Sequence, residues 1–265
     1  VIELDAVGER GLVVVSVDEH HGGRVAQIDV GGMPLLVDDP DHGPLGWGCY
    51  PMVPWAGRIG GGRLEFDGRT YRLEPNLAPH AIHGTGFRQA WTVDEQGRAH
   101  LDLHCRLDWP FGGVAQQHLL LTGDALTMWL AVQATDATMP ATIGWHPWFR
   151  KPRRAELAFA RMYERGPDHL PTGRVVEPAP PPWDDCFVEP LGPLRVLLDG
   201  RPDRQSERLT VTIDSDCDHW VVYDEPAHAT CVEPQSGPPD ACRLGVATRL
   251  VLGEVLQRRM TIRWA

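Results

Sequence analysis

Apolar side chains recur at every second position over much of this chain. Leu101, Leu103, Cys105 and Leu107 alternate with polar residues, as do Leu126, Met128, Leu130 and Val132, and again Leu209, Val211 and Ile213. Successive side chains of a strand point to opposite faces, so this period of two predicts strands with one face buried and the other in water. Further strands are predicted at Leu12–Val17, Val25–Val30, Trp91–Val93, Val114–Leu121, Ala141–Gly144, Ala155–Phe159, Trp220–Tyr223, Thr248–Leu252 and Met260–Trp264. One more apolar run, Ala229 to Val232, is predicted to end at Glu233, where the stiff segment CVEPQSGPPDA takes over. No segment of helical length shows an amphipathic pattern, and 28 glycines and 24 prolines break the runs at short intervals.

Many short strands joined by turns predict an all-β fold, a large antiparallel β-sandwich, rather than βαβ units. A length of 265 residues suits one large sandwich as well as two average domains. The Pro-rich stretch VEPAPPPW, Val176 to Trp183, has strand-like sequence of the same composition on both sides. It is therefore expected to be a long loop inside a single domain spanning residues 1–265.

Charge and cysteine usage narrow the partners. With 25 Lys and Arg against 36 Asp and Glu, the formal net charge is -11, and no basic run offsets it, so nucleic acid is not expected as a partner. The longest apolar stretches, LVVVSV and TMWLAV, fall far short of the roughly 20 residues a membrane helix needs, so no membrane partner is expected either. The first residues, VIELDAVGER, lack a basic segment followed by an apolar core, which points to the cytoplasm. Six cysteines at 49, 105, 186, 217, 231 and 242 form no CxxC pair. They are expected to be reduced, small buried hydrophobes rather than a zinc ribbon or a disulfide framework.

Several segments carry residues suited to chemistry. Glu233, at the end of an apolar run and against Pro234, Pro238 and Pro239, resembles a positioned base. HAIHGTGF sets His80 and His83 three apart, so in an extended chain they point to opposite faces and at most one enters a given cleft. A metal site needs more than this HxxH pair, and no acid follows nearby, so no metal is expected; either histidine can equally be a turn residue satisfied by backbone. IGWHPWFR places His146 before Pro147, which favours an extended backbone, and between Trp145 and Trp148. A histidine beside aromatic faces and near a carboxylate can be tuned as an acid. Indole faces also suit the C–H surfaces of sugars, although with 10 tryptophans in the chain packing roles compete with binding ones. Arg58, in PWAGRIGGGRLEF, is either a ligand-binding guanidinium beside a close-approaching glycine turn or a surface arginine. Asp184 and Asp185, in PPWDDCF, are candidates for binding a polar ligand or for turn chemistry. No GxxxxGK[ST], GxGxxG or GxSxG pattern occurs, so neither a nucleotide loop nor a serine hydrolase elbow is supported.

Taken in order, PWAGRIGGGRLEFDG, HAIHGTGF, IGWHPWF, WDDCF and VEPQSGPPDA resemble the motifs of the aldose 1-epimerase family, the galactose mutarotases, over about Pro51 to Ala241. The resemblance implies a galactose mutarotase-like supersandwich and a cofactor-independent isomerase that interconverts the α and β anomers of a free aldose. It places the ring-oxygen acid on His146, the base on Glu233, and substrate-holding roles on Arg58, His83 and Asp184. His80 stands where better-known members have asparagine, and WHPWF departs from their HTYFNL, so the sugar preference is left open. A hexose-6-phosphate 1-epimerase and a non-catalytic carbohydrate-binding domain are the competing readings, with Arg63, Arg69, Arg72 and Arg88 as the possible phosphate ligands of the former.

Overall fold

The computed structural model describes residues 1–200 and 208–265, and the alternating segments lie where they are predicted. Leu101, Leu103 and Cys105 fall on the strand His100–Arg106 with inward and outward positions alternating, and the predicted strand Val114–Leu121 has those bounds. Strands pair antiparallel throughout two large sheets, one of 11 strands and one of 8 among the described residues. Their inner faces share one apolar cluster. Leu4, Val13, Val15 and Ile28 enter it from the first sheet, and Leu103, Leu119, Leu130, Val211 and Ile262 from the second. The architecture is thus the large antiparallel β-sandwich expected from the alternation. No described helix is long and apolar enough to cross a membrane, and all six cysteines are unpaired, five of them buried.

The first sheet matters most here, because its middle strands are far apart in sequence. Cys49–Met52 lies beside Gly144–Arg150, which lies beside Ala229–Gln235, then His219–Tyr223 and Asp184–Pro190. His146 is paired with Tyr50 across the first of these junctions. Across the second, the pairs Gly144–Gln235 and Trp148–Cys231 bracket His146 and Glu233, which stand opposite each other midway. The ladder is interrupted between those pairs, where Pro147 and Pro234 supply no N–H to it.

Several boundaries differ from expectation: Thr92–Gln96 replaces Trp91–Val93, Thr248–Leu250 ends before Leu252, and Val255–Trp264 starts before Met260. Three further differences have a clear physical reason. Glu233 does not end its strand: the strand runs through Pro234 to Gln235, because the far side of the ladder pairs Trp220 with Pro234 and His219 with Gln235. The run Ala155–Phe159 divides between Arg154–Glu156, in the second sheet, and Phe159–Arg165, in the first, so the chain crosses between layers within one apolar stretch. Ala141–Gly144 likewise divides: Met139–Ala141 pairs with Thr248–Leu250, and Gly144 opens the next strand. The Pro-rich stretch contributes the loop at 177–183 between Pro171–Val176 and Asp184–Pro190.

Candidate active site

Two short pairings bring the arginine and histidine motifs together. Arg58–Ile59 pairs with Ala81–Ile82, with Arg58 opposite Ile82, so His83 follows directly beyond the contact. His83 adopts φ 61° and Gly84 φ 77°. At Gly84 an added Cβ would sit 1.9 Å from the Val53 carbonyl oxygen, which accepts hydrogen bonds from the Thr85 and Gly86 N–H groups. Only glycine fits there, and this tight turn is what aims His83 inward. His80, on the other side of the short strand, points away: its Nδ1 accepts from Gly61 N–H at 3.2 Å and its Nε2 meets the Asp168 carbonyl at 3.0 Å. It braces the glycine turn against a neighbouring loop and stays out of the cleft.

Arg58, His83, His146, Asp184 and Glu233 all line one cavity of about 370 Å³. Sequence reasoning missed several of its other walls, among them Tyr50, His169, Glu225 and Gln235. Trp148 lines it as well, whereas Trp145 is fully buried in the core. The period of two explains the division: His146 and Trp148 share one face of their strand, and Trp145 takes the other. The same rule puts Gln235 on the face of Glu233.

His146 is the centre of the arrangement. Its ring stacks between Tyr50 at 4.8 Å and Trp148 at 5.2 Å between centroids, and His83 meets it edge-on at 4.9 Å. His146 Nε2 lies 3.2 Å from Glu233 Oε1, with side chains only 6% and 2% exposed. Glu233 Oε2 accepts from Gln235 Nε2 at 3.2 Å. Around the rim, Arg58 Nη2 donates to Asp184 Oδ2 at 3.0 Å, His169 Nδ1 approaches the same oxygen at 3.4 Å, and Arg165 pairs with Asp185 at 3.2 Å.

Burial governs the protonation of the pair. It pushes His146 down from an ordinary 6.5 to about 3, with the Arg24 and Arg58 charges acting in the same direction. It pushes Glu233 well above its ordinary value, and the Asp184 charge adds to this. His83 is held well below the usual range by burial, and then by His146 and Arg58. Burial thus favours the neutral form of every group in the centre. His146 Nε2 and Glu233 Oε1, 3.2 Å apart, are close enough for one proton to pass between them, and the net charge of the pair would be the same with that proton on oxygen or on nitrogen. Whichever partner carries it is an acid, and the other is a base.

His83, His146 and Glu233 also form the donor set of a two-histidine, one-carboxylate metal centre, with ligand atoms within 4.8 Å of one another. The tautomer of His83 does not fit that role. Its Nδ1 accepts from Gly57 N–H at 3.3 Å, so the neutral ring carries its proton on Nε2 and has no lone pair free at either nitrogen. Metal-bound histidine normally shows the reverse, donating its second N–H to an acceptor. His83 is built as a hydrogen-bond donor into the cavity.

Known proteins match this chain over most of its length. The profile of the family described as aldose 1-epimerase matches residues 14–193. An uncharacterized Escherichia coli (strain K12) protein, YphB, is 38% identical over 219 residues, covering 72% of this chain and 74% of that protein. The crystal structure of a GalM/aldose epimerase homologue from C. elegans superposes with a TM-score of 0.79 at 15% identity, covering 100% of this chain and 98% of the other. A galactose mutarotase-like protein from Clostridium acetobutylicum gives a TM-score of 0.78 at 16% identity, over 96% and 92% of the two chains. The sandwich is therefore galactose mutarotase-like, and the chain belongs to the aldose 1-epimerase family.

Proposed function

We propose that this protein is a cofactor-independent aldose 1-epimerase acting on free, uncharged aldoses, and that the whole chain works as one catalytic unit around its shared core. The observation that carries the reading is the buried contact of His146 Nε2 with Glu233 Oε1 inside the cavity. Anomer exchange opens a hemiacetal whose two oxygens sit on one carbon, so its acid and its base must stand side by side. The sugar's hydroxyl groups supply polar partners, and the shared proton moves to His146. Glu233 then takes the proton of the C1 hydroxyl, the C1–O5 bond breaks as C1=O forms, and His146 protonates O5. After rotation about C1–C2, O5 attacks the other face, His146 recovers its proton, and Glu233 returns one to O1. His83 and Arg58 hold ring hydroxyls and limit tumbling of the open form.

The rim supports a neutral substrate over a phosphorylated one. Arg58 is already paired with Asp184, and Glu225 and Asp184 both line the cavity, so a phosphate would meet carboxylates at short range. Polarimetry of freshly dissolved glucose and galactose, beside coupled anomer assays on their 6-phosphates, tests this. Acceleration of the free sugars, undiminished in excess EDTA, is expected. Preference for the phosphates, binding without acceleration, or a loss restored by metal would each replace this reading with a named competitor.

The shared proton also sets the pH dependence. His146 is depressed to about 3 and Glu233 raised, so the pair gains a second proton only in strong acid and loses its one proton only well above the usual carboxylate range. The profile of kcat/KM should stay flat as pH falls through 6.5, the ordinary histidine value. An acid limb centred there would show a histidine that titrates freely and would sink the buried-pair assignment.

A further inference from the structure

Gln235 is fully buried and lines the cavity, yet it uses only half of its carboxamide. Its Nε2 donates to Glu233 Oε2 at 3.2 Å, while Oε1 is buried with no hydrogen-bond partner. Turning the amide over would set oxygen against a carboxylate oxygen, so this orientation is the one that matches donor to acceptor. Leaving a buried acceptor unpaired is costly, and a ligand hydroxyl would recover that cost. Room for the side chain comes from the facing strand. Residue 144, paired with Gln235, is glycine, and a Cβ there would lie 2.3 Å from the Pro234 carbonyl oxygen and 3.2 Å from Gln235 Cγ.

We infer that Gln235 is a specificity-determining residue that accepts a hydrogen bond from the hydroxyl on the carbon next to the anomeric centre, the C2 hydroxyl. The inference rests on the epimerase reading, and it follows from order. Glu233 touches His146 through Oε1 and Gln235 through Oε2, so the three groups stand in the sequence His146, Glu233, Gln235. The substrate presents O5, then O1 on C1, then O2 on C2. With His146 at O5 and Glu233 at O1, Gln235 meets O2. The donor bond to Glu233 ties recognition to catalysis, because the hydroxyl that engages Oε1 also fixes the carboxamide holding the base.

The test pairs removal of the hydroxyl with removal of the acceptor. Binding of glucose, galactose and their 2-deoxy forms is followed through tryptophan fluorescence, with exchange rates from polarimetry, in the parent and in Gln235→Met, which keeps length and loses polarity. The parent is expected to favour the 2-hydroxy sugars by about tenfold in affinity and in kcat/KM. Gln235→Met should lower the values for 2-hydroxy sugars and bring the ratio close to one. A merely structural role would weaken both sugars equally and leave the ratio unchanged, which would overturn the inference. So would a parent indifferent to the C2 hydroxyl, a comparison that needs no variant at all. Preferential binding of the 2-hydroxy sugars with no acceleration would remove the epimerase reading while leaving the Gln235 contact in place, whereas failure to bind any of these sugars would overturn both.

Discussion

Replacing Glu233 with Gln is expected to lower anomer exchange by at least about 10²–10⁴-fold, the usual contribution of one proton-transfer group, while leaving the fold at least as stable at neutral pH. The two halves of this expectation have one cause. The amide keeps the shape of the carboxyl, accepts from Gln235 Nε2 and can still donate toward His146 Nε2, so both contacts of the parent are reproduced. What it cannot do is take a proton from the C1 hydroxyl. Stability should hold because burial already drives Glu233 toward its neutral form. A carboxyl raised in the native state keeps a proton that the unfolded chain releases above 4.5, so its contribution falls as pH rises past that value. A neutral amide carries no such dependence. Polarimetry of freshly dissolved galactose and thermal melting at neutral pH check both halves. Full activity would remove Glu233 from the mechanism.

His146→Asn should lose activity to a similar extent and, unlike the glutamate variant, should also melt lower. The imidazole is the middle of a stack, 4.8 Å from Tyr50 and 5.2 Å from Trp148, with His83 against its edge. Asparagine removes those ring contacts, each worth on the order of 0.5–1.5 kcal/mol, and leaves a gap among buried side chains. In the proposed mechanism one proton passes between the two residues, so their losses should not multiply: the double variant should be little slower than either single one. Full activity in His146→Asn, measured by the same polarimetry, would refute the acid assignment. Strict multiplication of the two effects would instead show that the residues act independently.

How much of this was readable in the chain depends on where each strand lies. Alternation marks strands that face water on one side, as in His100–Arg106 and Val114–Leu121, and those were legible. The strands that carry the candidate site are covered on both faces. Gly144–Arg150 is buried at every position but its last and Ala229–Gln235 at every position, so neither shows a period of two. Each also contains a proline, which normally argues against a central strand. Pro147 and Pro234 escape that rule because the ladder between their strands is interrupted where they sit.

The five motif residues were named through the order of their motifs along the chain, and all five line the cavity. The walls between motifs were not. Tyr50 enters the site only because its strand is a neighbour of the His146 strand, a fact of sheet order that no local pattern encodes. His169, on the turn between Phe159–Arg165 and Pro171–Val176, and Glu225, on the loop just after His219–Tyr223, are brought in by loops that no local pattern ties to the site. Gln235 was the exception that could have been found, since a polar residue two places after a suspected base on an extended strand shares its face.

The pairing of His146 with Glu233 across neighbouring strands also bears on how activity returns after unfolding. Strands that are adjacent in the sheet but distant in the chain close late and at high entropic cost. The Gly144–Arg150 strand must find Cys49–Met52 on one side and Ala229–Gln235 on the other before His146 and Glu233 meet. Local hairpins such as Ile2–Gly8 with Gly11–Asp18 can form without it. Regain of anomer exchange therefore reports the closing of the sheet's centre, and it should trail the recovery of bulk β signal in a refolding experiment.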